Sequence, residues 1–179
     1  NTSGARNYFI GYRAGYSSTG ASANYNQFFG YDAGYTNTSG SQNLFMGYAA
    51  GFANSTGVNN HFVGYLAGRN NTANNNFFEG YYAGYDNTSG TGNTFIGFQA
   101  GQTETVANTN VSGSQNTYIG YNAGSASPTQ HTNAAAIGYF AKVDGSNAMA
   151  LGGTGANAVN VGIGTTAPSS QLHVYGAFD

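Results

Sequence analysis

The sequence predicts an all-β, repetitive fold, a β-solenoid or β-roll with coils of about 16–19 residues. Three observations predict it. The pattern Asn-x-Phe-x-Gly-Tyr-x-Ala-Gly starts at Asn7, Asn26, Asn43, Asn60, Asn76, Asn93 and Asn116, with Phe98 replacing the Tyr once and Tyr118 replacing the Phe once. Each unit carries two glycines four residues apart, and aromatic or branched residues alternate with polar ones at period two, which disfavours helix. Only 6% of residues are charged, with 29 glycines and abundant Asn, Ser and Thr in their place. Low-complexity disorder has no need to keep Gly, Ala and Phe in register over so many units, so the composition reads as architecture.

Within a unit, Asn43-Leu44-Phe45-Met46-Gly47-Tyr48 has the composition of a short strand. The following Ala-Gly fits a turn in which glycine supplies a positive φ and alanine fits under close neighbours. A second turn is signalled by Asn-Thr-Ser-Gly at 37–40 and 87–90, Asn-Ser-Thr-Gly at 54–57 and Asn-Val-Ser-Gly at 110–113. Each coil is therefore expected to hold two short strands and two turns. The first glycines, from Gly11 to Gly120, are spaced by 19, 17, 17, 16, 17 and 23 residues, the last through an extended loop from Gln102 to Ser114.

Coils stacked about 4.8 Å apart bring equivalent residues into rows. Asn26, Asn43, Asn60, Asn76, Asn93 and Asn116 are expected to form an amide ladder, and Phe28, Phe45, Phe62, Phe78, Phe95 and Tyr118 an interior aromatic stack. Alternation sends the next residue (Ile10, Phe29, Met46, Val63, Ile96, Ile119) to the opposite face, which is also apolar. One roll covers only one face, so the other is expected to pack against another chain. Glu79 interrupts that second row and reads as a partly solvated rim position, because an unpaired buried carboxylate is costly.

After Ala123 the pattern changes. Ala136-Ile137-Gly138-Tyr139-Phe140-Ala141 and Ala148-Met149-Ala150-Leu151-Gly152 resemble the head repeats of trimeric autotransporter adhesins, whose similar steps build a trimeric β-roll. Gly162-Ile163-Gly164-Thr165-Thr166-Ala167-Pro168 with Leu172 and Val174 resembles the junction of phage tail fibres and related bacterial surface fibres. There it joins a repetitive shaft to a C-terminal tip or a self-cleaving chaperone, and the longer repeats also resemble such shafts. The expected organisation is a shaft over 1–124, head-like repeats over 125–158 and a junction over 159–179. The resemblance implies a homotrimeric extracellular fibre, on a virion tail or a bacterial surface. Its task would be to project a tip that attaches to a cell-surface glycan or protein. The chain opens on Asn-Thr-Ser-Gly in mid-repeat, so it is expected to be a piece of something longer.

Other functions find little support. Net charge is −2 with no basic run, so no nucleic-acid partner is expected. Cysteine is absent, and no apolar run has the length for membrane insertion. No histidine (His61, His131, His173) lies near a carboxylate in sequence or at metal-ligand spacing. Neither a Gly-x-Ser-x-Gly elbow nor a carboxylate pair is evident, and Gly152-Gly153-Thr154-Gly155-Ala156-Asn157 has Asn where a calcium roll needs Asp. No catalytic role and no cofactor are expected.

Two aromatic series remain. Tyr12, Tyr31, Tyr48, Tyr65, Tyr81, Phe98, Tyr121 and Tyr139 give one ring per coil, which suits stacking between coils or chains. Tyr16, Tyr35, Phe52 and Tyr85 follow the Ala-Gly turn and are the candidate surface-binding residues, in a series broken by Arg69, Gln102 and Ser125. These rows keep open a carbohydrate-binding solenoid. Ice binding is the remaining alternative, and its candidates Thr36, Thr38, Thr72, Thr88 and Thr109 read as out of step.

Overall fold

The computed structural model describes residues 4–102 and 109–175. Nine three-residue strands form one parallel sheet in which each strand lies beside the strand of the next coil. They are β1 (Tyr8–Ile10), β2 (Gln27–Phe29), β3 (Leu44–Met46), β4 (His61–Val63), β5 (Phe77–Glu79), β6 (Thr94–Ile96), β7 (Thr117–Ile119), β9 (Ala135–Ile137) and β11 (Met149–Leu151). Two further pairs, β8 (Gly124–Ser125) with β10 (Lys142–Val143) and β12 (Val161–Ile163) with β13 (Leu172–Val174), are also parallel. One 3-10 turn, Gly155–Asn157, completes the elements. The chain is thus a parallel β-solenoid.

The strands are short because both ends are bracketed by left-handed backbone. Ahead of the ladder asparagines, Tyr25, Gln42, Asn59, Asn75 and Gln115 have φ between 57° and 61°, and Gly92 has 67°. Behind each strand the first glycine has a φ such as 135° at Gly47, where a Cβ would lie 2.3 Å from the carbonyl oxygen of Gly64 in the next coil. Only glycine permits that approach.

Register follows the repeat. Phe28 lies opposite Phe45, Phe45 opposite Phe62, Phe62 opposite Phe78, Phe78 opposite Phe95 and Phe95 opposite Tyr118. Their rings are fully or almost fully buried, with centroids 4.7–4.9 Å apart and planes within 8° of parallel. The second glycine of each unit closes the coil over its own ring: a Cβ on Gly51 would fall 2.6 Å from the Phe45 side chain. Buried alanines Ala33, Ala50, Ala67, Ala83, Ala100 and Ala123 line the same core.

The second strand expected in each coil is not formed along most of the solenoid. Its place is taken by a stack of turns held by bonds such as Gly34 N–H to Ala50 O (3.0 Å) and Thr36 N–H to Phe52 O (3.1 Å). The second glycine causes this, since a φ of 57° to 75° from Gly15 to Gly101 turns the chain out of the extended region. Gly124 lacks that positive φ, and there the short pair β8–β10 appears.

Beyond β7 the core narrows. Tyr118 is paired with Ala136 and Ala136 with Ala150, so no ring remains to fill the interior. Coil length contracts with it, to the 14 residues separating Asn133 from Asn147. Lys142 occupies the place of the second glycine, a substitution compatible with the lost ring. Residues 103–108 of the extended loop between Gln102 and Ser114 lie outside the described residues. The chain rejoins the stack at Asn110, whose N–H donates to Gly101 O at 2.9 Å.

Candidate functional surface

Two buried asparagine rows set the spacing of everything outside them. In the first, each side-chain oxygen accepts the backbone N–H of the next asparagine. The distances from the Asn26, Asn43, Asn60, Asn76 and Asn93 oxygens to their successors are 2.9–3.0 Å. Their amide nitrogens donate to carbonyls of the next coil, Asn26 to Gly40 O and Asn43 to Gly57 O at 2.8 Å, and Asn116 to His131 O at 2.9 Å. The ladder therefore runs through the main chain and not amide to amide. Both functions of a flat amide are spent on backbone groups that a buried coil would otherwise leave orphaned.

A second row (Asn37, Asn54, Asn71, Asn87 and Asn110) was not foreseen as buried. Its visible trace is that each inter-core turn begins with Asn. Asn37 and Asn87 donate to the glycine carbonyl three residues on, at 3.1 and 2.9 Å. Gly40 O and Gly90 O thereby receive one amide from each row. The 16-residue coil breaks the regularity. It loses one residue between Asn71 and Asn76, and Asn54 Oδ1 and Asn71 Nδ2 are left without partners.

Outside this frame lies the surface. The residues after the core ring, from Ile10 through Phe29, Met46, Val63, Ile96, Ile119 and Ile137 to Leu151, occupy the outer face of the long sheet and are half-buried or exposed. Glu79 is exposed in the same row, between Val63 and Ile96.

Beside that row runs the first aromatic series. Consecutive centroids are 5.0 Å apart for Tyr12–Tyr31, 5.3 Å for Tyr31–Tyr48, 5.2 Å for Tyr48–Tyr65 and 5.1 Å for Tyr65–Tyr81. The column continues through Phe98 to Tyr121 and Tyr139. All eight rings are exposed, from 38% at Phe98 to 63% at Tyr12. Stacking covers their faces, so the column offers edges and hydroxyls outward. A sugar docks on an aromatic face, and within the column few faces are free.

The second series is more continuous than its sequence suggested. Tyr16, Tyr35 and Phe52 stack at 5.1 and 5.0 Å, and the Arg69 guanidinium then lies 5.0 Å from the Phe52 ring centre and 5.8 Å from that of Tyr85. Arg69 is thus a rung of this stack, because a planar cation stacks on a ring much as another ring does. Tyr16 is exposed, whereas Tyr35, Phe52 and Tyr85 are half-buried.

One tight ion pair lies in the first coils. Arg13 holds Asp32 of the next coil through two bonds, Nε–Oδ1 at 2.7 Å and Nη2–Oδ2 at 2.6 Å, and lies over Tyr12, Tyr31 and Tyr35. This bidentate bond, more than simple charge attraction, raises the arginine pKa further still. Burial raises the Tyr82 phenol above its ordinary value, with neighbouring Tyr81, Tyr65 and Tyr85 adding to it.

Thr38, Ser55, Thr72, Thr88 and Val111 each follow an asparagine of the second buried row, and bonds run from Thr38 to Ser55 O, from Thr72 to Thr88 O and from Thr88 to Val111 O. The threonines Thr38, Thr72 and Thr88 are therefore in step, because coil-length differences are absorbed elsewhere in the turn. Their hydroxyls bond the next coil's carbonyls, which leaves a single rank with no matching second one. Folding also brings a carboxylate to a histidine: His131 Nε2 is 3.7 Å from Asp144 Oδ1 and 3.4 Å from Ser127 Oγ. Both contacts fall on the same nitrogen, so the imidazole cannot relay a proton from one to the other.

Among the described residues no three His, Cys, Asp or Glu converge as a metal site. No helix among them is long and apolar enough to cross a membrane. No family model, curated protein or solved structure matches this chain.

Proposed function

We propose that this chain is the shaft of an extracellular homotrimeric fibre, from a phage tail or a bacterial surface, that carries a receptor-binding tip away from its base. One observation carries the reading: the outer face of the long sheet is apolar over eight of nine rungs and uncovered in the single chain. Soluble monomers seldom expose an apolar patch of that continuity. Second and third copies of the same chain are its natural cover, because identical spacing lets three such faces meet rung for rung. The C-terminal pair β12–β13 points the same way, with Ile163, Leu172 and Tyr175 exposed and no core of its own.

Absolute mass by light scattering tests the assembly. The expected value is three times the 18.4 kDa of one chain. A folded monomer at micromolar concentration overturns the proposal. The spacer role is tested separately: removing two internal coils from the full-length protein should shorten the fibre and leave host attachment intact. Loss of attachment with the trimer preserved would place recognition in the shaft. A carbohydrate-binding role is supported less well, because the ring faces are occupied. Sugar-dependent quenching of tyrosine fluorescence would bring it forward.

A further inference from the structure

The exposed tyrosine column has a chemistry that its packing role does not use. Tyr12, Tyr31, Tyr48, Tyr65 and Tyr81 are consecutive phenols on consecutive coils, each 42% exposed or more and 5.0–5.3 Å from the next. Interplanar angles of 9° to 26° keep neighbouring rings nearly parallel, one coil apart. The chain has 15 tyrosines, no tryptophan and no cysteine, so it can form no disulfide and its phenols are the side chains best suited to one-electron oxidation.

We propose that this column is a modification site, at which a one-electron oxidant couples tyrosines of adjacent coils into dityrosine. Each phenol gives up one electron and its hydroxyl proton, and the two phenoxyl radicals join at their ortho carbons. The two displaced ring protons move to the oxygens and restore both phenols. Two hydrogens leave per link; a haem peroxidase accepts both and reduces one hydrogen peroxide to two waters. The inference concerns one chain and does not rest on its assembly.

The geometry makes the pattern specific. Phe98 stacks between Tyr81 and Tyr121 at 5.0 and 4.9 Å but has no hydroxyl to lose, so it separates the five-ring run from the pair Tyr121–Tyr139. Tyr118 is buried in the core between Phe95 and Ala136 and serves as an internal control. Exposure along the outer edge leaves each ring of the column room to hinge toward its neighbour as the bond forms.

The experiment treats the folded chain with a haem peroxidase and hydrogen peroxide, then maps cross-linked peptides by mass spectrometry. Links are expected within one chain between Tyr12 and Tyr31, Tyr31 and Tyr48, Tyr48 and Tyr65, and Tyr65 and Tyr81, with none at Tyr118. Tyr48→Phe should abolish the two central links and keep the fold, since Phe98 already shows the column accepting that residue. Phe98→Tyr should create links through position 98 that join the two runs. The same scrambled set of links from native and urea-unfolded protein overturns the proposal. So does a product with only singly oxygenated tyrosines, or with links between chains alone.

Discussion

A buried ring in this solenoid is worth more than its surface area alone, because each touches a copy of itself above and below. Phe62 lies between Phe45 and Phe78 at 4.9 Å on both sides. Phe62→Ala should cost about 3–5 kcal/mol, read as a lowered urea midpoint. The Asn row is a second single-residue dependency. Asn76→Ala removes the acceptor for Asn93 N–H and one donor to Gly90 O, for an expected loss of about 1–3 kcal/mol by the same measurement. Tyr118 is the one hydroxyl in the ring column, and burial raises its pKa above that of an ordinary phenol. Unfolding releases that phenol to ionise, so stability is full below about pH 10 and falls as pH rises past it. Tyr118→Phe should remove that part of the alkaline loss while leaving stability at neutral pH within about 1 kcal/mol. Equilibrium unfolding of both proteins at pH 8 and above checks it. The Phe and Asn positions were legible in the sequence because both recur at fixed offsets from the first glycine. Left-handed residues such as Asp32, Leu66 and Gln99 were not, since they share a backbone angle and no side-chain chemistry.

At the scale of the coil, the unit of stability is the interface between two consecutive turns of chain. Gly64 illustrates how narrow that interface is: its φ is 136°, and a Cβ there would lie 2.3 Å from Gly80 O. Gly64→Ala forces backbone strain on the order of 1–3 kcal/mol before any clash is counted. Because the carbonyl belongs to the next coil, hydrogen exchange should quicken around both β4 and β5, with distant coils unaffected. Strands and turns were legible as a repeat, but the count of strands per coil was not. The Ala-Gly turn was read correctly as a positive-φ site; its consequence, a second side built of stacked turns, depends on bonds to the neighbouring coil. The buried row from Asn37 to Asn110 was hidden for a related reason. An Asn at the start of a turn looks solvent-facing until the next coil covers it.

For the whole molecule, the proposed trimer places assembly on the outer sheet face and folding on the buried columns, so the two should separate by mutation. Ile119→Lys places a charge on the half-buried outer row, opposite Ile96 and Ile137. The expected outcome is a folded chain, by circular dichroism, whose scattering mass falls to that of a monomer. If the parent chain is a trimer and the variant keeps that mass, the copies meet through another surface.

The hydrogen bonds between coils also have a mechanical meaning. They all run along the long axis, which makes the molecule hard to bend and easy to peel. Tension applied at the two ends loads the coil interfaces in series, and the weakest gives way first. That interface should lie at the C-terminal end, where Ala136 and Ala150 succeed the last ring. A filament built this way would unravel from its narrow end in coil-sized steps and spool back when slack.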